Sequence, residues 1–173
     1  MLVAIRTQLA LAYILLNDLP SAEKVLALIL HDDARNPEVA RVSAYFRSAS
    51  GGQGVAQKAL SELDPTRAKH RIERCQVHLF RGLFFLQLGQ PENASREFAA
   101  AHHQDPRNVF VLLKWADTLV EMATESVATG DAEIARYCAE QAQTVASKVL
   151  EFDADNTEAL RILEKVAFDF NVM

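Results

Sequence analysis

The chain has 173 residues, of which 50% are apolar and 24% are charged, and it carries a formal net charge of −5 at pH 7. An apolar share of this size can form one continuous core, so we expect a single domain over residues 1–173. The acidic balance argues against a general nucleic-acid binder, which normally carries a basic excess.

Regularly spaced helix-start signals divide the chain into nine predicted α-helices. Most of these signals begin with an Asn or Asp, whose side chain can accept from the free backbone N–H groups of the first turn. A Pro or Glu follows, and both residues are favourable in that turn. The segments between them are apolar at helical spacing and lack the alternation typical of strands. The predicted helices cover residues 2–16, 19–31, 37–50, 53–63, 66–88, 91–103, 107–129, 132–152 and 156–169. Because the connections are short, neighbouring helices should pack antiparallel, which predicts an all-α protein built from helix hairpins.

The first predicted helix is apolar, but Arg6, Thr7 and Gln8 interrupt it. No basic leader or small-residue cleavage site accompanies it, so we interpret it as an amphipathic helix rather than a signal peptide. No apolar run in the chain approaches the roughly 18 residues needed to span a bilayer. No capping residue precedes this helix. We therefore consider the hypothesis that the chain is a piece of a longer array of repeats.

Two stretches of the chain repeat the same spacing of small and bulky residues. The first stretch has these residues at Ala10, Tyr13, Ala22, Leu26 and Ile29. The aligned positions of the second stretch are Gly82, Phe85, Ala94, Phe98 and Ala101, and an Asp-Pro pair follows them. This order resembles the tetratricopeptide repeat, a helix-turn-helix unit of about 34 residues. Small residues let the two helices approach, and aromatic rings fill the space beside the contact. The predicted repeat-packing residues are Ala10, Tyr13, Ala22, Gly82, Phe85, Ala94, Phe98, Ala101 and Pro106, the last as the start of the next helix.

The resemblance divides the chain into four units and a closing helix. The units cover about residues 3–36, a degenerate 37–65, 66–106 and an elongated 107–154, and the closing helix 156–169 should cover the open end of the stack. In 107–154 each helix is expected to be about two turns longer than usual. The resemblance implies a right-handed superhelical solenoid that acts as a non-catalytic scaffold for protein–protein interaction.

Candidate residues for catalysis or metal binding are few. Cys75 and His78 lie three apart, and His102 and His103 adjoin Asp105, but zinc needs three or four converging ligands and no second pair has a ligand spacing. We therefore expect no catalytic residue, no metal and no cofactor. Two cysteines far apart do not make a disulfide framework, which favours a reducing compartment, taken to be the cytoplasm.

A concave groove is the first candidate surface for partner recognition. The resemblance implies that the first helix of each unit lines it and receives an extended peptide or a partner helix. The residues placed there by spacing are Leu11, Ile14, Gln76, Leu79, Leu83, Leu86, Phe110, Leu113, Asp117 and Val120. This lining is mostly apolar, which favours an apolar helix, a peptide or self-association as the partner. The alternative is that the leucines are core residues of a tightly wound superhelix.

A basic stripe is the second candidate surface. Its members follow at intervals of four, three, four and three and therefore share one face of the predicted helix 66–88: Arg67, Arg71, Arg74, His78 and Arg81. This stripe gives the alternative function, which is binding of nucleic acid or another polyanion. It is otherwise solvated, or paired internally with acids such as Glu62 or Glu97. A third possibility is a sensor or oligomerisation arm of a larger regulator.

Overall fold

A computed structural model describes residues 2–33 and 35–170 of the chain. Over these residues the chain forms nine α-helices, one 3₁₀ turn and no β-strand, which confirms the all-α prediction. The helices are α1 (Leu2–Leu15), α2 (Leu19–Asp33), α3 (Pro37–Gly51), α4 (Gln53–Glu62), α5 (Arg71–Gln87), α6 (Pro91–Gln104), α7 (Val109–Thr129), α8 (Ala132–Leu150) and α9 (Thr157–Phe170). The 3₁₀ turn is Pro65–Arg67.

The helices belong to two compact units, one ending at Leu63 and the other beginning at Asp64. In the first unit α1 and α2 form a hairpin, α3 packs against both, and α3 and α4 form a second hairpin. In the second unit α5 pairs with α6 and α7 pairs with α8, while α6 also packs against α7 and α9 packs against α8 and α7. Each unit is therefore built from helix hairpins.

Side-chain caps explain why several helices begin where the sequence predicted. In each case an Asn or Asp oxygen accepts from a backbone N–H in the first turn, which satisfies a donor that has no partner within the helix. The caps are Asp18 for α2, Asn36 for α3, Asp131 for α8 and Asn156 for α9. The same residue chemistry therefore fixes helix starts in both units.

Two predicted helix starts are wrong. Pro106 does not begin α7, because Asn108 caps that helix at the N–H of Val111, at 3.2 Å, and leaves Pro106 exposed in the turn before it. The predicted helix 66–88 begins only at Arg71, because the backbone is extended at Ala68 and His70. The Asp64 carboxylate binds both the N–H and the hydroxyl of Thr66, so it caps the 3₁₀ turn rather than a longer helix.

The predicted repeat-packing residues lie mostly inside the protein. Six are buried, namely Ala10, Ala22, Gly82, Ala94, Phe98 and Ala101, whereas Tyr13 and Phe85 are half-buried. The closest approach is at Gly82, where an added Cβ would lie 2.4 Å from Cε1 of Phe98. The α5–α6 hairpin therefore depends on the missing side chain at residue 82.

The second unit contains a core formed by α7, α8 and α9. Four alanines on α8 follow at intervals of four, three and four and form one buried stripe, which we call the alanine ladder: Ala135, Ala139, Ala142 and Ala146. Leu112 and Leu119 of α7 and Ile162 of α9 belong to the same core. Because alanine projects little beyond the backbone, α8 can lie close to its neighbours.

Helix α1 differs from the amphipathic helix expected from the sequence. Its inner face is buried at Ala10, Leu11 and Ile14, but its outer face is also apolar and is exposed. None of the helices in the described part of the chain has the length and apolar character that crossing a bilayer would require.

Candidate functional site

The ten predicted groove residues separate into a buried set and an accessible set. The buried set is at most 7% exposed and is therefore inaccessible to a partner. It consists of Leu11, Ile14, Leu79, Leu83 and Val120. Gln76, Leu86, Phe110, Leu113 and Asp117 are partly exposed. Any recognition by this set must use the second group, three members of which lie on α7.

A cleft of about 240 Å³ lies between α7 and α9, beside the accessible residues of α7. It includes Asp117 and the edge of Val120 from the predicted set. It also includes four residues that the sequence did not predict, Glu121 on α7 and Arg161, Ile162 and Lys165 on α9. Two acids one turn apart on α7 therefore face two bases one turn apart on α9.

Arg161 holds the centre of this cleft. Its Nη2 donates to Oδ1 of Asp117 at 3.0 Å and to Oε1 of Glu158, and its Nε donates to Oε2 of Glu158 at 3.0 Å. The hydrogen bonds from Arg161 lower the pKa of Glu158, and those from Glu158 raise the pKa of Arg161. Arg161 is therefore committed to its own chain and fixes α9 against α7.

The two acids of α7 behave differently from Glu158. Burial raises the pKa of Asp117, and the nearby cations Lys114 and Arg161 only partly offset it. Burial also raises the pKa of Glu121, as does the neighbouring Asp117 carboxylate. The nearby cations Lys114 and Lys165 act in the opposite direction on Glu121 and only partly offset this rise in its pKa.

The structure divides the predicted basic stripe into separate parts. Arg67 lies in the 3₁₀ turn, outside α5, with its Nε 3.3 Å from the Asp64 carboxylate. Arg71 donates from Nη2 to the backbone carbonyl of His103 at 3.2 Å. Arg74 is partly exposed and its buried Nε has no hydrogen-bond partner among the described residues. Arg67 therefore does not share the helix face on which the stripe was predicted.

Glu97 of α6 binds the two remaining members of the stripe. Its Oε2 lies 2.7 Å from Nδ1 of His78, and its Oε1 accepts from Nε of Arg81 at 2.8 Å. All three side chains are at most 24% exposed. This half of the stripe is internal, and its acidic partner is one of the two that the sequence suggested.

The residues considered for a metal site do not converge. His78 is engaged by Glu97. The Cys75 thiol is buried, and its sulfur accepts from Nδ2 of Asn108 at 3.9 Å. In the described ranges no three His, Cys, Asp or Glu side chains are grouped so that they could hold a metal ion.

The basic half of the α7–α9 cleft was missed because the segment 156–169 was interpreted only as a closing helix. The available signal was the matched spacing of Asp117 and Glu121 with Arg161 and Lys165, one turn apart on each helix. That signal becomes informative only when α7 and α9 are known to be neighbours.

Comparisons with known proteins establish no family for this chain. No protein-family model matches the sequence, and no curated protein matches it. Among solved structures, the chain is similar to one described as "Functional Characterization of Pseudomonas Aeruginosa pilF", with 16% sequence identity over 99% of this chain and 93% of that one. The TM-score is 0.35, which is too low to carry an argument about fold or function.

Proposed function

We propose that this chain is a non-catalytic protein-binding module of the tetratricopeptide type, and that it receives a partner segment on the face shared by α7 and α9. We propose further that it is one repeat domain with units at about 3–36, 37–65, 66–106 and 107–154. The hairpin packing around Gly82 and the elongated α7–α8 hairpin support this organisation. The observation that carries the binding proposal is the open α7–α9 cleft, which is lined by the acids Asp117 and Glu121 and by the bases Arg161 and Lys165.

The partner segment combines an apolar anchor with charges of both signs. Phe110 and Leu113 are half-buried on the same face of α7 as Asp117 and offer apolar contact. Beyond them, Glu121 can pair with a Lys or Arg of the partner, and Lys165 with an Asp or Glu. Such a mixed surface suits an extended peptide or an amphipathic helix. This proposal replaces a purely apolar groove, because the buried leucines cannot contribute to it.

A library of random peptides displayed on phage tests this proposal with purified protein. We expect enrichment of peptides that carry an apolar residue near a basic one, and we expect Glu121→Arg to weaken the selected peptides about tenfold or more, because it replaces an attraction with a repulsion. Fluorescence polarisation with the labelled peptides gives the affinities. Glu125→Arg is the matched control, since Glu125 is exposed one turn further along α7 and does not line the cleft.

Equal loss of affinity in Glu121→Arg and Glu125→Arg would contradict recognition in the cleft. A general electrostatic effect would produce that result. Failure to enrich any peptide over an unrelated helical protein would contradict the binding proposal itself. Circular dichroism of each variant distinguishes a lost contact from a lost fold.

Anion binding is the second candidate function, and one observation favours it. Four basic residues within the five positions 67–71, just before and at the start of α5, are all exposed: Arg67, Lys69, His70 and Arg71. If this surface carries recognition, the library will instead yield acidic peptides whose affinity falls steeply with salt, as electrostatic binding to polyanions does. Arg71→Glu would then abolish their binding, and Glu121→Arg would not.

We propose the cytoplasm as the compartment, because the two cysteines are both free and form no disulfide framework. Cys75 and Cys138 are both 2% exposed, and burial raises the pKa of Cys75 to about 11 and raises that of Cys138. A buried thiol that stays protonated near neutral pH is a poor nucleophile and is slow to oxidise.

We therefore expect both thiols to react slowly with Ellman's reagent at pH 8 in the folded protein. Unfolding in guanidinium chloride without reductant should release two thiols per chain at once, because neither is oxidised. The absorbance change counts them directly. A protein prepared without reductant that yields fewer than two thiols when unfolded would contradict the expectation.

A further inference from the structure

His102 lies near the end of α6, where this helix contacts α7. Its ring packs against the indole of Trp115 on α7, with the two ring centroids 5.8 Å apart and the planes tilted by 43°. The indole Nε1–H donates to Oγ of Ser95 at 3.0 Å, and Ser95 lies two turns before His102 on α6. Ser95 and His102 therefore contact the indole from one face of α6.

The position of Nδ1 of His102 favours the neutral ring. This atom is shielded from solvent and has no hydrogen-bond partner within the described part of the chain. In a neutral ring with its proton on Nε2, Nδ1 is an acceptor only, whereas in the charged ring both nitrogens are donors. Protonation would therefore create a buried donor without an acceptor, and such a donor is costly, the more so when it carries charge.

The charged groups beside His102 act mostly against its protonation. Burial is the largest cause that lowers its pKa below the ordinary value of 6.5, and Lys148 of α8 and the neighbouring His103 lower it further. Asp105, at the end of α6, acts in the opposite direction and only partly offsets them. The folded protein thus keeps His102 neutral down to a lower pH than an unfolded chain would.

Helix α5, which packs along α6, adds cations at this level. Nη2 of Arg71 donates to the backbone carbonyl of His103 at 3.2 Å, and Arg74 lies one turn further along α5. The Cys75 thiol beside them is buried and uncharged near neutral pH, because its pKa is raised to about 11. α5 therefore does nothing to favour a proton on His102.

Helix α7 presents an uncharged side chain to His102. This side chain is Trp115, which also packs against the core formed by α7, α8 and α9. Lys114, the residue before it, acts on the acids of the α7–α9 cleft. The contact between α6 and α7 therefore joins an aromatic ring to an imidazole that is held neutral.

Acid pH should weaken this contact. When α6 and α7 separate, His102 titrates near its ordinary pKa of about 6.5, so the opened form takes up a proton more readily than the packed form. The stabilisation by the neutral ring is complete above that pH, and it is lost as the pH falls through 6.5 toward the lower pKa of the packed ring. Each unit of difference between the two pKa values changes the ratio of opened to packed protein by a factor of about ten.

We propose that His102 is a pH-sensitive element built into the α6–α7 contact, and that its protonation in mildly acidic solution loosens α6 from α7. The core of α7, α8 and α9 is apolar and should remain packed. The element is therefore independent of the binding proposed for the α7–α9 cleft.

Acrylamide quenching of tryptophan fluorescence tests the proposal. Trp115 is the single tryptophan of the chain, so its emission reports on this contact alone. Acrylamide is uncharged, and its quenching constant measures how accessible the indole is at any pH. We expect this constant to rise about twofold or more between about pH 7.5 and about pH 5.5, the range in which histidine titrates. The midpoint should lie below pH 6.5.

Substitutions at His102 should remove this pH dependence. His102→Phe keeps an aromatic ring against Trp115 but cannot take up a proton, and His102→Gln removes both the ring and the charge without adding bulk. The quenching constant of each variant should be the same at both ends of the pH range. His103→Gln is the matched control, since His103 is exposed one residue further along and its loss should leave the rise in place.

Proton NMR of the wild-type imidazole resonances gives the pKa of His102 directly, with the assignment made by comparison with His102→Gln. A midpoint at or above 6.5 would overturn the proposal, whether or not the variants fold. A quenching constant that does not vary with pH in the wild type would show that the contact stays closed. A rise that persists in His102→Gln, or that disappears in His103→Gln, would assign it to another group. Loss of helical circular dichroism in step with the quenching would show general acid unfolding instead.

Discussion

Replacing Gly82 with alanine is expected to lower the free energy of unfolding by about 1–3 kcal/mol. The added Cβ would lie 2.4 Å from Cε1 and 2.8 Å from two further ring atoms of Phe98. Phe98 is completely buried, so its ring cannot swing into solvent to make room. Alanine favours the helix over glycine by roughly 1 kcal/mol, but the clash outweighs this gain. Thermal unfolding should show a loss of roughly 2–12 °C.

Gly54→Ala is the control for this prediction. Gly54 also lies in a helix, α4, but an added Cβ there meets nothing within 4 Å. This substitution should leave stability unchanged or raise it slightly. Adding Phe98→Leu to Gly82→Ala should recover part of the loss, since leucine removes the ring, and a double-mutant cycle measures the recovery. Equal melting temperatures for Gly82→Ala and wild type would show that α5 and α6 do not meet at this point.

Removing the carboxylate of Glu97 is the second change expected to have a large effect, with a cost of about 1.5–3 kcal/mol for Glu97→Ala. Glu97 is 15% exposed and accepts from Arg81 while contacting His78. Without it, two partly buried basic side chains lose their acidic partner in a region of low dielectric. Chemical denaturation at pH 7 measures the loss as a shift of the midpoint at constant slope.

An exposed pair with the same geometry provides the comparison. Arg136 donates from Nε to Oε1 of Glu140 at 2.9 Å, close to the 2.8 Å between Arg81 and Glu97, but these side chains are 77% and 46% exposed. Exposed pairs contribute little, so Glu140→Ala should shift the denaturation midpoint much less than Glu97→Ala does. Similar costs for the two substitutions would mean that Glu97 acts only through its surface charge.

The elements of this fold could be predicted from local chemistry, and the errors are also local. Asn36 and Asp131 mark helix starts because their caps need only residues two or three positions later. Asp64 offers the same signal, yet Thr66 satisfies it within a 3₁₀ turn and α5 begins later. A capping residue predicts that a helical turn begins, but it does not predict how far that turn continues.

The candidate site was less predictable, because it depends on contacts between distant parts of the chain. Glu97 could be proposed as a partner of the basic stripe, since α6 follows α5 in one hairpin. The contact between Asp117 and Arg161 joins residues 44 positions apart and requires α9 to lie against α7. Burial of Leu83 was likewise not evident, since spacing shows that residues share a face but not whether another helix covers it.

The alanine ladder of α8 has a thermodynamic consequence. An alanine side chain has no rotamers to lose, so ordering these four positions costs less conformational entropy than ordering leucines would. Each also removes less apolar surface from water, which lowers the heat-capacity change of unfolding. A hairpin built in this way gains less from the hydrophobic effect on folding, but it also loses less conformational entropy. Its stability should therefore vary less steeply with temperature than that of a hairpin packed with large side chains.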